Sequence, residues 1–118
     1  MSDYHKDVIR VKHVLDAIEK LIILSENKSF DDFESDIAYQ LASIKLLEII
    51  GEASNHISQA SKNFFLNIPW RQIIGLRNIL VHEYFGVDHF TIWDIIQNSI
   101  QPLQIQFSVL LKQLSENN

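Results

Sequence analysis

The sequence predicts an all-α fold, on three observations: long apolar stripes at helical spacing, no convincing strand alternation, and few chain breakers. Only three Gly and two Pro occur in 118 residues, which leaves little room for long loops. In the first stretch Val8, Val11, Leu15, Ile18 and Ile22 recur at steps of three and four, and Val14 and Leu21 widen the stripe. The second opens after the turn-like Ser25-Glu26-Asn27-Lys28-Ser29. There Ser29, with Asp32 or a neighbouring acid, offers an N-terminal cap and charge that suits the helix dipole. Its apolar set is Ile37, Leu41, Ile44, Leu47 or Ile50, then Ala53 and Ile57. Gly51 falls inside that pattern at a cost to helix stability, so it points to close backbone packing.

A shorter helix begins at Ile68-Pro69-Trp70, with Pro69 suited to a first-turn position, and runs towards Tyr84; Gly86 is a candidate for its end. The last stretch is the most regular. Trp93, Ile96, Ile100, Leu103, Phe107, Leu110 and Leu114 form a seam for packing one helix along another. Thr91 with Asp94 fits a capping box at its start, and Pro102 should kink it by removing a backbone donor and crowding the Asn98 carbonyl. The expected architecture is a bundle of four main helices in a single domain over residues 1–118.

The bulk properties restrict function. The chain is 47% hydrophobic and 21% charged, which fits a globular protein and argues against disorder. It contains no cysteine, so disulfides, thiolate nucleophiles and cysteine-based metal sites are excluded. The opening Met1-Ser2-Asp3-Tyr4-His5-Lys6-Asp7 lacks a signal-peptide pattern, and no apolar run approaches the ~20 residues of a membrane span. A cytoplasmic protein without membrane contact is expected. A net charge of −5 argues against a broad, nonspecific grip on nucleic acid, DNA included. The charge is uneven, however. Glu26, Asp31, Asp32, Glu34 and Asp36 crowd one segment, whereas no acid occurs from Ala53 through His82, where Lys62, Arg71 and Arg77 lie.

Chemistry enters the apolar pattern at Arg77-Asn78-Ile79-Leu80-Val81-His82-Glu83-Tyr84. A guanidinium grips phosphate bidentately and keeps its charge, while an imidazole with an ordinary pKa of ~6.5 suits proton transfer near neutrality. Together Arg77 and His82 could cleave RNA without a metal, leaving a 2′,3′-cyclic phosphate and a 5′-hydroxyl. Helix geometry complicates the pairing, because residues five apart differ by roughly 140° around an α-helix. Either the helix distorts before His82 or the site borrows residues from a second chain. Arg77 and Tyr84 share a face within about 20°. The remaining candidates read as structural. His5 and His13 lie eight apart, too far for a local metal pair, and read as residues of solvated faces; His56 suits a helix C-terminus, and His89 belongs to a helix start. Glu48 and Glu52, one turn apart, could form a carboxylate pair, although exposed charge is the simpler reading of Glu48. Trp70 and Trp93 fit core aromatics.

These motifs resemble the HepT-like family of the HEPN superfamily. The likeness rests on Ile68-Pro69-Trp70, Gly75-Leu76-Arg77-Asn78, His82-Glu83-Tyr84-Phe85-Gly86-Val87-Asp88 and Trp93, with Leu47-Glu48-Ile49-Ile50-Gly51-Glu52-Ala53 resembling the family's second-helix signature. The family's R-x4-H-x-Y motif is met in full by Arg77, His82 and Tyr84, with Asn78 after the arginine. The resemblance implies a helical homodimer that joins its motif helices at a cleft and forms a composite, metal-independent endoribonuclease site. It implies Arg77 and His82 as catalytic residues, Asn78 in support, and no cofactor. It further implies the toxin half of a toxin–antitoxin pair, with Tyr84 adenylylated by a minimal nucleotidyltransferase antitoxin that supplies ATP. The alternative is a non-catalytic nucleotide-binding or scaffold subunit for such a nucleotidyltransferase.

Overall fold

The computed structural model describes residues 3–83 and 86–116, and among them seven helices and no strand. They are α1 (Asp3–Leu24), α2 (Phe30–Ser35), α3 (Ile37–His56), α4 (Gln59–Phe64), α5 (Trp70–Glu83), α6 (His89–Asn98) and α7 (Ile100–Glu116). The all-α expectation holds. The four expected main helices become seven, because two long stretches break and one connection coils.

The first break lies at Asp36. Ser29 caps as expected: its hydroxyl accepts the Asp32 N–H while the Asp32 carboxylate accepts the Ser29 N–H. The helix so begun ends after six residues, because Asp36 adopts extended backbone and starts α3 by accepting the Tyr39 N–H at 3.1 Å. An aspartate can serve as a new N-cap in this way, offering the backbone an alternative to helix continuation. Gln40 then satisfies the stranded end of α2 by donating to the Phe33 and Glu34 carbonyls. In the preceding turn Asn27 takes the left-handed conformation (φ 58°), which asparagine tolerates better than most residues.

The second break corrects the Pro102 expectation. There is no kinked continuous helix; α6 closes at Ser99, whose N–H donates to the Ile95 carbonyl at 2.9 Å, and α7 starts at Ile100. Pro102 therefore stands in the first turn of α7, where its missing N–H leaves nothing unpaired. The cap of α6 also differs from expectation. Asp88, not the Thr91–Asp94 pair, accepts both the Thr91 N–H and its hydroxyl. The apolar seam nevertheless survives the break, with Ile96, Ile100, Leu103, Phe107, Leu110 and Leu114 all buried.

The core lies along α1, which packs against α3 on one side and α7 on the other. Val11, Val14, Ala17, Ile18 and Leu21 are its buried apolar residues, whereas Val8, Leu15 and Ile22 flank them. Ile37 and Leu41, expected in the core of the second stretch, are exposed at the start of α3. Both tryptophans behave as core aromatics. Trp70 donates its indole N–H to the Phe65 carbonyl and meets Phe107 edge-on, while Trp93 packs near Phe30 and Phe33.

One polar tie crosses this core. Asp7 of α1, 1% exposed, accepts the Ser58 N–H (2.9 Å), the Ser58 hydroxyl (2.5 Å) and the Ser61 hydroxyl (2.6 Å) at the start of α4. The short α4 is thus held by a carboxylate some fifty positions earlier in the chain, and its own N-cap, Ser58, is part of the tie. No helix among the described residues is long and apolar enough to cross a membrane.

Helix α5 is placed differently from the others. It packs chiefly on α3. On its other flank an apolar cleft of about 420 Å³ separates Ile73 and Leu76 of α5 from Ile95, Ile100 and Leu103 of α6 and α7.

Candidate functional site

Helix α5 starts directly after Pro69, whose carbonyl accepts the Ile73 N–H at 3.0 Å. It runs without a break through both Arg77 and His82 to Glu83. Leu80 is fully buried and pins this part of the helix to the core. Distortion before His82 is therefore not how the two side chains would meet. Arg77 faces α3, with 27% of its side chain exposed, whereas His82 is exposed at the C-terminal end. Within one chain they point to different surroundings. Tyr84 lies outside the described residues.

What brings Arg77 against α3 is Gly51. A Cβ at position 51 would fall 2.2 Å from the Arg77 Cβ, 2.9 Å from its Cγ and 3.1 Å from the Ile73 carbonyl oxygen. Only a residue without a side chain lets the two helices cross this closely. The close packing read from the sequence is thus an approach to the arginine itself.

The guanidinium then meets two neighbours. Its Nη1 donates to the Asn78 side-chain oxygen at 2.9 Å, and its Nη2 lies 2.6 Å from Glu52 Oε2. The latter is a close ion contact, and Oε2 is closed off from solvent. The other carboxylate oxygen of Glu52 lies 3.0 Å from His56 Nε2. Hydrogen bonding to His56, together with the charge and hydrogen bonding of Arg77, holds the Glu52 carboxyl below its ordinary value of 4.5, against the opposing effect of burial. A depressed carboxyl stabilises the fold above the usual carboxylate range, and that contribution is lost as pH falls through the depressed value.

Around Arg77 runs a groove of about 380 Å³ lined by Lys45, Glu48, Ile49, Glu52 and Val81. Glu48 is only 23% exposed and stands 3.8 Å from Lys45, so the two acids of α3 do not act as a pair: each faces a different cation. Chemically the groove offers an arginine held in a fixed orientation beside a carboxylate and an imidazole. Such a guanidinium can receive a phosphate through its remaining donors.

The other basic residues of the acid-free stretch do not gather here. Arg71 is exposed, and Lys62 sits on α4 over the Trp70 ring at 5.7 Å, where burial lowers its pKa. His89 starts α6 and contacts Glu34 at 3.3 Å, and His56 is the last residue of α3, both as read from the sequence. The sequence reading missed Glu52 as a neighbour of Arg77, and His56 as the partner of Glu52. The Glu52–His56 pair could have been found from its i, i+4 spacing. The Glu52–Arg77 contact joins two helices and had no local signal beyond Gly51. No group of three or more His, Asp or Glu among the described residues is arranged to hold a metal.

A family model described as "Ribonuclease HepT-like" matches residues 14–110, which include α3, α5 and every residue of the groove. A protein of Thermococcus cleftensis named "Probable ribonuclease HepT" is 38% identical over 112 residues, covering 95% of this chain and 100% of its own. Proteins of Caldanaerobacter subterraneus and Methanocaldococcus jannaschii, each bearing a provisional RNase name, are 36% and 32% identical. They cover 86% and 82% of this chain, and 91% and 89% of their own. No solved structure matches the chain significantly.

Proposed function

Since the chain belongs to the ribonuclease HepT-like family, we propose that it is an endoribonuclease toxin that cuts RNA at a composite site formed by two copies of the chain. The observation that supports this most directly is the continuity of α5: an unbroken helix turns Arg77 towards α3 and leaves His82 exposed at its end. A second copy with its own α5 alongside would bring one chain's His82 near the other's Arg77. Exposed Ile79 and Val81 on the same helix give that contact an apolar component.

At such a site Arg77 holds the scissile phosphate and stabilises the charge that develops on its equatorial oxygens. His82 moves a proton at the 2′-hydroxyl or at the leaving 5′-oxygen. The 2′-oxygen attacks phosphorus, the bond to the 5′-oxygen breaks, and a 2′,3′-cyclic phosphate and a 5′-hydroxyl result. No metal takes part in this scheme. Asn78 supports it by bonding Nη1 of Arg77.

Cleavage of total RNA in EDTA tests the reading. Arg77→Ala and His82→Ala should each slow cutting by about a hundredfold. Parental rates in both variants would show that the site lies elsewhere. An equimolar mixture of the two variants should regain part of the activity, because a mixed dimer restores one complete site.

The same reading gives Tyr84 the role of a switch, adenylylated by a nucleotidyltransferase antitoxin that uses ATP. A bulky anion beside the phosphate site would repel RNA. Co-expression with a nucleotidyltransferase encoded beside this chain should add adenylate mass, and Tyr84→Phe should remove the addition. Retained mass in that variant would place the acceptor at another residue.

A further inference from the structure

We propose that Glu52 is the internal counter-ion of Arg77, a positioning residue that aims the guanidinium and is itself a competitor of RNA phosphate for it. The inference deepens the ribonuclease reading and rests on it for its cleavage measurements.

Three features of the groove carry it. First, the guanidinium is held from two sides, by Asn78 on Nη1 and by Glu52 against Nη2, while Gly51 fixes where its side chain leaves α5. An arginine so held has lost much of its rotational freedom before substrate arrives. Second, Glu52 is itself held. Its Oε1 lies against His56 Nε2 at 3.0 Å, so the carboxylate has a fixed direction rather than a swinging one. Third, the contact with Arg77 is close and uses one carboxylate oxygen, Oε2, which is shut off from water, while Oε1 is engaged by His56. A phosphate can offer the guanidinium two acceptors at once. The pair is therefore tight enough to orient Arg77, and its single-oxygen contact yields to a bidentate phosphate.

Two opposed effects follow. Removing the charge of Glu52 takes away an anion that repels phosphate, so RNA should bind more tightly. It also removes one of the two supports of the guanidinium, so the bound phosphate should react more slowly. A residue that merely stabilised the fold would produce neither the gain in binding nor the opposite signs.

The test is Glu52→Gln, which keeps the shape and loses the charge. Binding is read by fluorescence anisotropy with a fluorescein-labelled, 2′-O-methylated RNA oligonucleotide, which cannot be cut. Cleavage is read on the unmodified oligonucleotide in EDTA. The expected result is a Kd lowered by up to about fivefold, the range of a half-exposed ion pair. It is joined by a kcat lowered about tenfold. His56→Gln, which loosens Glu52 without discharging it, should lower kcat in the same direction by less. Unchanged or weakened binding in Glu52→Gln overturns the proposal, as does cleavage at the parental rate. Should Glu52→Gln fail to fold, side-chain 15N spectra of His56→Gln decide. The Arg77 guanidinium resonances should broaden as rotation is freed, and unaltered resonances overturn the proposal. Should the parent chain cut no RNA, the ribonuclease reading falls, and the anisotropy and 15N measurements still decide the role of Glu52.

Discussion

Gly51→Ala is expected to lower both the melting temperature and the rate of RNA cleavage, although alanine is the better helix former. Intrinsic propensity alone favours the change by about 0.5–1 kcal/mol in a helix interior. Against it stands the overlap with Arg77: a separation of 2.2 Å between two Cβ atoms cannot be relieved by rotating a side chain, because both atoms are fixed to backbone. Helices α3 and α5 must move apart, at a cost of about 1–3 kcal/mol for overpacking of this kind. For a chain of this size that corresponds to a fall of roughly 4–12 °C. The movement also displaces Arg77 from Glu52. A shift of about 1 Å at a reacting centre can cost a hundredfold in rate. Circular-dichroism melting and the cleavage assay measure the two effects. Gly75→Ala is the internal control, since a Cβ there meets nothing within 4 Å and the substitution should be neutral or stabilising. If both variants melt alike, the close crossing of the helices is not what the glycine serves.

The second large effect belongs to Asp7→Ala. Its carboxylate collects three donors in a place almost closed to solvent, and all three belong to Ser58 and Ser61. Truncation leaves a backbone N–H and two hydroxyls facing a void. Hydrogen bonds to a charged acceptor are worth about 1.5–3 kcal/mol each, and donors stranded by truncation add a desolvation cost. Because water can enter the space left behind, a total of roughly 3–5 kcal/mol is expected. Urea unfolding should show the midpoint falling with little change in slope. Asp7→Asn keeps the volume and one acceptor, so it should lie between parent and Asp7→Ala. A midpoint for Asp7→Ala within experimental error of the parent would mean that α4 does not depend on this tie.

The sequence was legible where burial repeats regularly. The seam from Ile96 to Leu114 is buried at every position, because each of its members must face α1 or the helices beside it whatever the backbone does between them. It was less legible where short polar side chains compete with the helix. Asp36 and Ser99 interrupt two apolar patterns without disturbing them, so periodicity alone passed over both breaks. Exposed Ile37 and Leu41 show the same limit: the start of α3 turns Tyr39 and Ser43 to the core, and the apolar stripe lies off that face. At the candidate site, Gly51 and Arg77 each stood out, one as a costly glycine and one as a charge among apolar residues. Their contact did not, since it depends on the crossing of two helices 26 positions apart in the chain. Glu52 and His56 were hidden for the same reason, each having an adequate reading as an ordinary polar residue on its own helix.

The lopsided packing of α5 has a consequence for how the molecule opens. A segment supported mainly on one side, with a cleft along the other, unfolds locally at less cost than helices enclosed on both. The helix that carries the motif is thereby expected to exchange its amide protons sooner than α1 and α3, which have neighbours on both sides, and to be more open to proteases than they are. Anything that settles against its open flank adds its binding energy to the local stability of α5. A partner bound there would thus slow both the exchange and the proteolysis of α5.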